Sequence, residues 1–415
     1  MNYFEYKDGE LYAEDIPVRR LVEEYDTPLY LYSARTLRRH FQAFDSAFSG
    51  IDHLTCYSAK ANSNLCVLKL LGEMGAGADI VSGGELFRAL KAGIDPQKIV
   101  YSGVGKRENE IQEAILANIL MFNVESEQEL EKINQVASGL DQKAGISVRI
   151  NPDVDPKTHP YISTGLKKNK FGVDIEQALD IYKKAKDMEF IEPIGIDCHI
   201  GSQLTSISPF MEALERIKDF HAQLLGIGLD IKYLDLGGGL GITYDEEEPP
   251  HPAELGEALT KSLKDSGLKL ILEPGRVISG NAGIMVTRVL YTKQTELKNF
   301  AVVDAGMNDL IRPSLYQAYH RITPVREMGP ADTKMDIVGP ICESSDFLAQ
   351  DRDMPGLAPD DLLAVFSSGA YGFGMSSQYN SRARAAELLV DGEEVTVARR
   401  REMYIDLVGL ENACF

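Results

Sequence analysis

The sequence contains no tryptophan, five cysteines and seven histidines, and it is short of positive charge: 43 Lys and Arg stand against 63 Asp and Glu in 415 residues, a formal net charge of −20. Each shortage excludes something. An acidic surplus of that size repels phosphate backbones and anionic headgroups, so no nucleic acid and no membrane surface is expected as the main partner. A local basic pocket for a small anion stays open. Cys56, Cys66, Cys198, Cys342 and Cys414 are odd in number, scattered and without a CxxC pair, which reads as reduced thiols of a cytoplasmic protein. The histidines form no HExxH and no Cys/His cluster, so no protein-built metal site is expected. No run of about 18 apolar residues is present to cross a bilayer. The opening MNYFEYKDGE lacks the apolar stretch of a secretory leader.

What is there is alternation. A chain of this length suggests two to three domains of about 150 residues. Short apolar, β-branched runs recur at His53–Ser58, Gly77–Val81, Lys98–Ser102, Leu120–Val124, Gly145–Ile150, Pro193–Ile200, Tyr233–Leu236 and Leu268–Leu272. Amphipathic segments such as Leu65–Met74, Gly84–Ala92, Glu108–Ala117, Glu127–Ala137, Ile175–Met188, Pro209–Leu225 and Ala253–Lys264 lie between them. Strands separated by helices imply a parallel sheet, because a parallel connection needs a crossover. Eight units fit a closed (β/α)8 TIM barrel better than an open sheet. Beyond Gly283 the pattern changes to strands without long helices, with Asp391-Gly392 as a hairpin turn. The expected fold class is therefore α/β: a barrel over 36–283 and a β-rich domain, barrel or sandwich, from 1–35 plus 284–415, with Leu29–Tyr32 as a strand of the latter.

The unusual polar residues fall where the apolar runs end: Lys60, Asp79, Arg149, His199, Gly237–Gly239 and Glu273. In a barrel those ends share one mouth, where active sites are built. A lysine there would be partly desolvated and nucleophilic. Taken singly, each residue has a plain alternative: a solvated lysine, a satisfied core histidine, a glycine turn, a loop ion pair between Glu273 and Arg276. Gly237 and Gly239 are not a dinucleotide fingerprint, since position 242 is Ile242, but such a loop can still present N–H groups to a phosphate.

The motifs taken together are more specific. YSAKAN at Tyr57–Asn62, HIGSQ at His199–Gln203, LDLGGGLG at Leu234–Gly241, EPGR at Glu273–Arg276, GPICESSD at Gly339–Asp346 and GAYGF at Gly369–Phe373 occur in order. The chain resembles the fold-type III pyridoxal-phosphate decarboxylases, the ornithine/diaminopimelate/arginine decarboxylase family, over essentially its whole length. The likeness is strongest to the branch acting on diaminopimelate. The resemblance implies pyridoxal 5'-phosphate bound covalently to Lys60, with Asp79 nearby, His199 stacked on the ring, and Ser202, Gly238, Gly239, Pro274, Gly275 and Arg276 around the phosphate. Glu273 would pair with the pyridine nitrogen. Substrate would be held by Arg276, Arg312 and Tyr316 at a distal carboxylate, by Glu343 at a distal ammonium, and by Tyr371, which also touches the cofactor. Cys342 would supply a proton to the α-carbon. The implied reaction is decarboxylation of meso-2,6-diaminopimelate at its D-centre to L-lysine, the last step of lysine biosynthesis. The implied assembly is a homodimer whose subunits exchange Cys342 and Glu343. Residues 161–172 would form a mobile active-site loop, with Asn169 where the family often has serine. Two alternatives remain at this stage: a decarboxylase of another amino acid, such as D-lysine, D-ornithine or carboxynorspermidine, and a non-catalytic pyridoxal-phosphate carrier.

Overall fold

The computed structural model describes residues 2–154 and 170–411. Most of the expected loop at 161–172, including Asn169, and also Cys414, lie outside the described residues. The chain divides into two compact units, one of residues 40–242 and 247–277, the other of 1–39, 243–246 and 278–415.

The first unit is a closed barrel of eight parallel strands: β1 (His53–Ser58), β2 (Gly77–Ile80), β3 (Ile99–Tyr101), β4 (Met121–Val124), β5 (Ala144–Ile150), β6 (Ile191–Cys198), β7 (Tyr233–Asp235) and β8 (Lys269–Leu272), with β8 pairing back to β1. Helices cross back between the strands, and their starts are chemically marked. Asn64, Ser82, Ser126 and Asp174 each accept an N–H of the first helical turn with their side chains, satisfying a donor that the helix leaves open. These caps turn the chain from strand to helix at one end of the barrel, the end that carries Lys60, His199 and Glu273.

The barrel interior changes character along its axis. Cys56 of β1, Val100 of β3, Met121 of β4 and Ile271 of β8 form a fully buried apolar layer. Nearer the strand ends the register sets polar residues side by side. Ser58 lies opposite Asp79, Asn123 opposite Ser147, and Asp197 opposite both Arg149 and Asp235. All seven are buried. Buried charge is costly unless paired or neutralised, so this layer is where sequence pattern and burial disagree most.

The second unit is a mixed nine-stranded sheet. Its long strand Gly283–Gln294 pairs antiparallel with Leu29–Ser33, Asn299–Val303 and Leu362–Val365. Ala386–Asp391 runs parallel to Leu29–Ser33 and turns through Gly392, at φ +66°, into Glu394–Arg399. An apolar core that includes Leu11, Leu21, Leu29, Leu31, Ile284, Val286, Leu388 and Val390 fills this unit. Among the described residues no helix is long and apolar enough to cross a membrane.

Candidate active site

Lys60 follows β1 by two residues, and its Nζ forms an ion pair with Asp79 of β2. The lysine side chain is 35% exposed, so its amine is partly desolvated, while Asp79 beside it is fully buried. Ser58 Oγ donates to Asp79 Oδ2 at 2.6 Å, whereas Asp79 Oδ1 has no hydrogen-bond partner among the described residues. The β1–β2 pairing thus fixes the carboxylate that holds the amine.

Glu273, one residue past β8, is buried. Its Oε1 accepts from Ser102 Oγ at 3.3 Å and from Asn123 Nδ2 at 3.4 Å. Asn123 Nδ2 also reaches Asp235 Oδ2 at 3.3 Å, and its Oδ1 accepts from Ser147 Oγ at 2.7 Å, which fixes the orientation of the amide. Burial pushes the Glu273 carboxyl well above the usual carboxylate range, and the neighbouring Asp235 and Asp79 add to the rise. Burial likewise raises Asp235 to about 6, against the pull of the Gly237 N–H. Asp197 rises for the same reasons, burial first and Asp235 second. Too many carboxylates share one dry volume for all to be ionised together. Arg149, ion-paired with Glu125 at 3.1 Å, offsets part of the rise at Asp197 by its own charge.

His199, the residue after β6, is kept neutral. Burial lowers its pKa well below the ordinary value, and the charges of Arg149 and Lys60 lower it further. Its Nδ1 accepts the Gly238 N–H at 3.2 Å, so the ring proton sits on Nε2. The glycine run after β7 makes this seat. A Cβ on Gly237, at φ +64°, would lie 2.3 Å from His199 Nδ1, and one on Gly238 would lie 2.1 Å from the Glu273 carbonyl oxygen. Gly239 is tied to the HIGSQ loop, its carbonyl accepting Leu204 N–H at 2.9 Å. Gln203 spans the same two loops, bonding Ile242 through both ends of its amide. Arg276, past Pro274 and Gly275, is buried and donates to Ser202 Oγ at 3.2 Å. Every site residue expected in the barrel therefore lies on this one rim.

The other expected residues belong to the second unit. Arg312 opens the short helix Arg312–Tyr316 and is buried. Its guanidinium donates to His320 Nε2 at 2.8 Å and lies 4.4 Å over the Tyr244 ring. His320 Nδ1 in turn bonds the Phe366 carbonyl at 2.8 Å. Cys342 and Glu343 are exposed on the loop after strand Thr333–Val338. Tyr371 sits at φ +55°, a conformation uncommon for a bulky side chain and often held at functional sites.

Sequence reasoning passed over Ser58, Ser102, Asn123, Ser147, Asp197 and Asp235. A usable signal existed for Asn123, Asp197 and Asp235: each is a polar residue inside an apolar strand (MFNV, GIDC, YLDL), the position that flagged Asp79.

The family of pyridoxal-dependent decarboxylases, pyridoxal binding domain, matches residues 34–280. A diaminopimelate decarboxylase of Aquifex aeolicus is 54% identical over 97% of this chain and 96% of its own. The crystal structure of diaminopimelate decarboxylase from Helicobacter pylori complexed with L-lysine superposes with a TM-score of 0.92 at 45% identity, covering 95% of this chain and 99% of that one. The M. jannaschii diaminopimelate decarboxylase in co-complex with L-lysine gives 0.93 at 40% identity, covering 99% and 98%. The chain belongs to the diaminopimelate decarboxylase family of pyridoxal-dependent decarboxylases.

Proposed function

We propose that the protein decarboxylates meso-2,6-diaminopimelate at its D-centre, giving L-lysine and CO2, with pyridoxal 5'-phosphate as cofactor. The barrel rim suits that cofactor at both ends. Lys60 presents an amine, and the Asp79 oxygen with no partner among the described residues marks polar capacity still open beside it. Glu273 offers a buried carboxyl raised by its neighbours, which a protonated ring nitrogen would neutralise. Gly239, Ser202, Gly275 and Arg276 offer N–H, hydroxyl and guanidinium donors for a phosphate, while Gly238, whose N–H is taken by His199 Nδ1, brings the glycine run alongside. The observation that carries the reading is the buried, crowded Glu273, because a carboxylate there keeps a proton on the pyridine nitrogen.

When bound, pyridoxal phosphate supplies the electron sink for the pair left behind as CO2 departs. The chain's own residues do the rest. Lys60 would hold the cofactor through its amine, with Asp79 as the carboxylate poised to pair with that amine. Neutral His199 presents a flat face to the ring without adding charge. Glu273, oriented by Asn123 and Ser102, would keep a proton on the ring nitrogen. Arg312 and Tyr316, with Arg276, take the distal carboxylate of the substrate, Glu343 takes the distal ammonium, and Tyr371 packs against cofactor and substrate. The Cys342 thiol gives its proton to the carbon that lost CO2, which becomes the ε-carbon of lysine. A homodimer in which each subunit lends Cys342 and Glu343 to the other completes this assignment. The reading also places the enzyme in the cytoplasm. No disulfide joins Cys56, Cys66, Cys198 and Cys342 among the described residues.

The test is CO2 release from the stereoisomers of diaminopimelate with pyridoxal phosphate bound. Release from the meso form but not the LL form is expected, and no release from the meso form overturns the reading. Arg312→Ala should depress kcat/KM for the substrate far more than cofactor affinity.

A further inference from the structure

The loop that carries Cys342 and Glu343 is gripped by a segment that no motif singled out, Ser377–Arg382. The Tyr379 hydroxyl donates to Glu343 Oε1. The Asn380 side-chain carbonyl, Oδ1, accepts the Cys342 N–H at 2.8 Å. The two contacts reach across 36 and 38 residues of sequence to adjacent positions. Asn380 stands at φ +55°, ψ +26°, a left-handed conformation that asparagine tolerates better than most residues. One residue thus makes the turn and supplies the acceptor.

The gripping segment is itself anchored. Ser377 N–H bonds the Asn308 carbonyl at 2.8 Å, Gln378 Nε2 bonds Glu402 at 2.9 Å, and Arg382 reaches the Asp304 carbonyl at 3.4 Å. From the other side, Asp346 accepts the N–H groups of Ile341 and Met307 at 2.6 Å each. The Cys342-Glu343 dipeptide is exposed yet held at its backbone, at one side chain and at its foot. Such restraint has no evident use for a plain surface loop. It is what a loop needs when it must offer a carboxylate and a thiol at fixed positions.

We propose that Tyr379 and Asn380 are positioning residues: Tyr379 aims the Glu343 carboxylate at the substrate's distal ammonium, and Asn380 fixes the backbone beneath the Cys342 thiol. The proposal rests on the roles given above to Glu343 and Cys342. The Glu343 carboxylate also favours the protonated phenol, whose pKa is raised by that hydrogen bond and that charge, so the grip persists through neutral pH.

Holoenzyme variants Tyr379→Phe, Asn380→Gly, Asn380→Asp and Glu343→Gln separate the alternatives. The first measurement is the ratio of kcat/KM for meso-diaminopimelate to that for D-2-aminopimelate, which lacks the distal ammonium. Y379F should lower that ratio about tenfold, mainly through KM, the size expected for a hydrogen bond to a charged group. It should have no further effect in an E343Q background. The second measurement is hydrogen–deuterium exchange of the Cys342 amide, which should speed up about tenfold in N380G, which keeps the turn and loses the acceptor. N380D, which keeps both, should match the unaltered enzyme. An E343Q ratio that falls while the Y379F ratio stays constant overturns the positioning role and leaves the function intact. An E343Q ratio that does not change removes the role of Glu343, and the proposal with it. Unchanged exchange in N380G overturns the part played by Asn380.

Discussion

Glu273 and Asp235 show how one residue's chemistry depends on its neighbours. Both carboxyls are buried, and the Asn123 amide lies within hydrogen-bonding reach of each. Replacing Glu273 with Gln keeps the shape and removes the charge that a pyridinium proton requires. CO2 release should fall by about two to four orders of magnitude, the range of general acid–base contributions, while the fold persists by circular dichroism. Asp235 makes a prediction about stability in the cofactor-free protein. Its value of about 6 lies above the unfolded value of about 3.9, so the folded state holds the proton more tightly. That contribution is fully present below about pH 4 and is lost as pH rises through 6. Thermal melts of the apo protein between pH 4 and 8 should show Asp235→Asn with a flatter decline than the unaltered chain; parallel curves would refute the coupling.

At the scale of elements, the glycine run after β7 does two jobs that no side chain allows. It turns at positive φ, and it lets His199 and the Glu273 backbone approach closely. Gly237→Ala places a methyl against His199 Nδ1 and strains the left-handed backbone by about 1 kcal/mol or more. Pyridoxal-phosphate affinity, measured by absorbance titration, should weaken by about tenfold. Elements also show where sequence pattern suffices and where it fails. His53–Ser58 forms over its expected residues because a short run centred on Leu54, Cys56 and Tyr57 fits a barrel strand whose last four residues are buried. Phe347–Met354, FLAQDRDM, carries three charges and gave no strand signal, yet it pairs antiparallel with Thr333–Val338, an instance of tertiary pairing overriding local preference. The hairpin of Phe4–Lys7 and Glu10–Ala13 was legible but passed over, since Asp8-Gly9 at φ +51° and +78° is a standard hairpin turn.

At the scale of the whole molecule the charge of −20 takes on a second meaning. The surplus acid excludes polyanions outside, and some of it stands inside the barrel, where Asp79, Asp197, Asp235 and Glu273 are buried together. The proposed dimer yields a direct test. Lys60→Ala and Cys342→Ala should each be inactive alone. Mixed and reassembled, random pairing of subunits makes half of the dimers hybrids, each with one intact site, so about a quarter of normal CO2 release should return. No recovery, with hybrid dimers verified by mass, would show that Cys342 serves its own subunit.

The sequence by itself determined the barrel, its eight strands and the rim positions of Lys60, His199 and Glu273, because alternation of strand and helix is written in local periodicity and a strand's end is visible as the end of an apolar run. Only the tertiary structure decided which carboxylates are crowded together, which amide orients Glu273, and which residues hold Cys342 and Glu343. Those relations arise from strand register and from contacts between residues tens to hundreds of positions apart. Burial then sets the strength of each charge, and burial is a property of the folded chain, not of any segment of it.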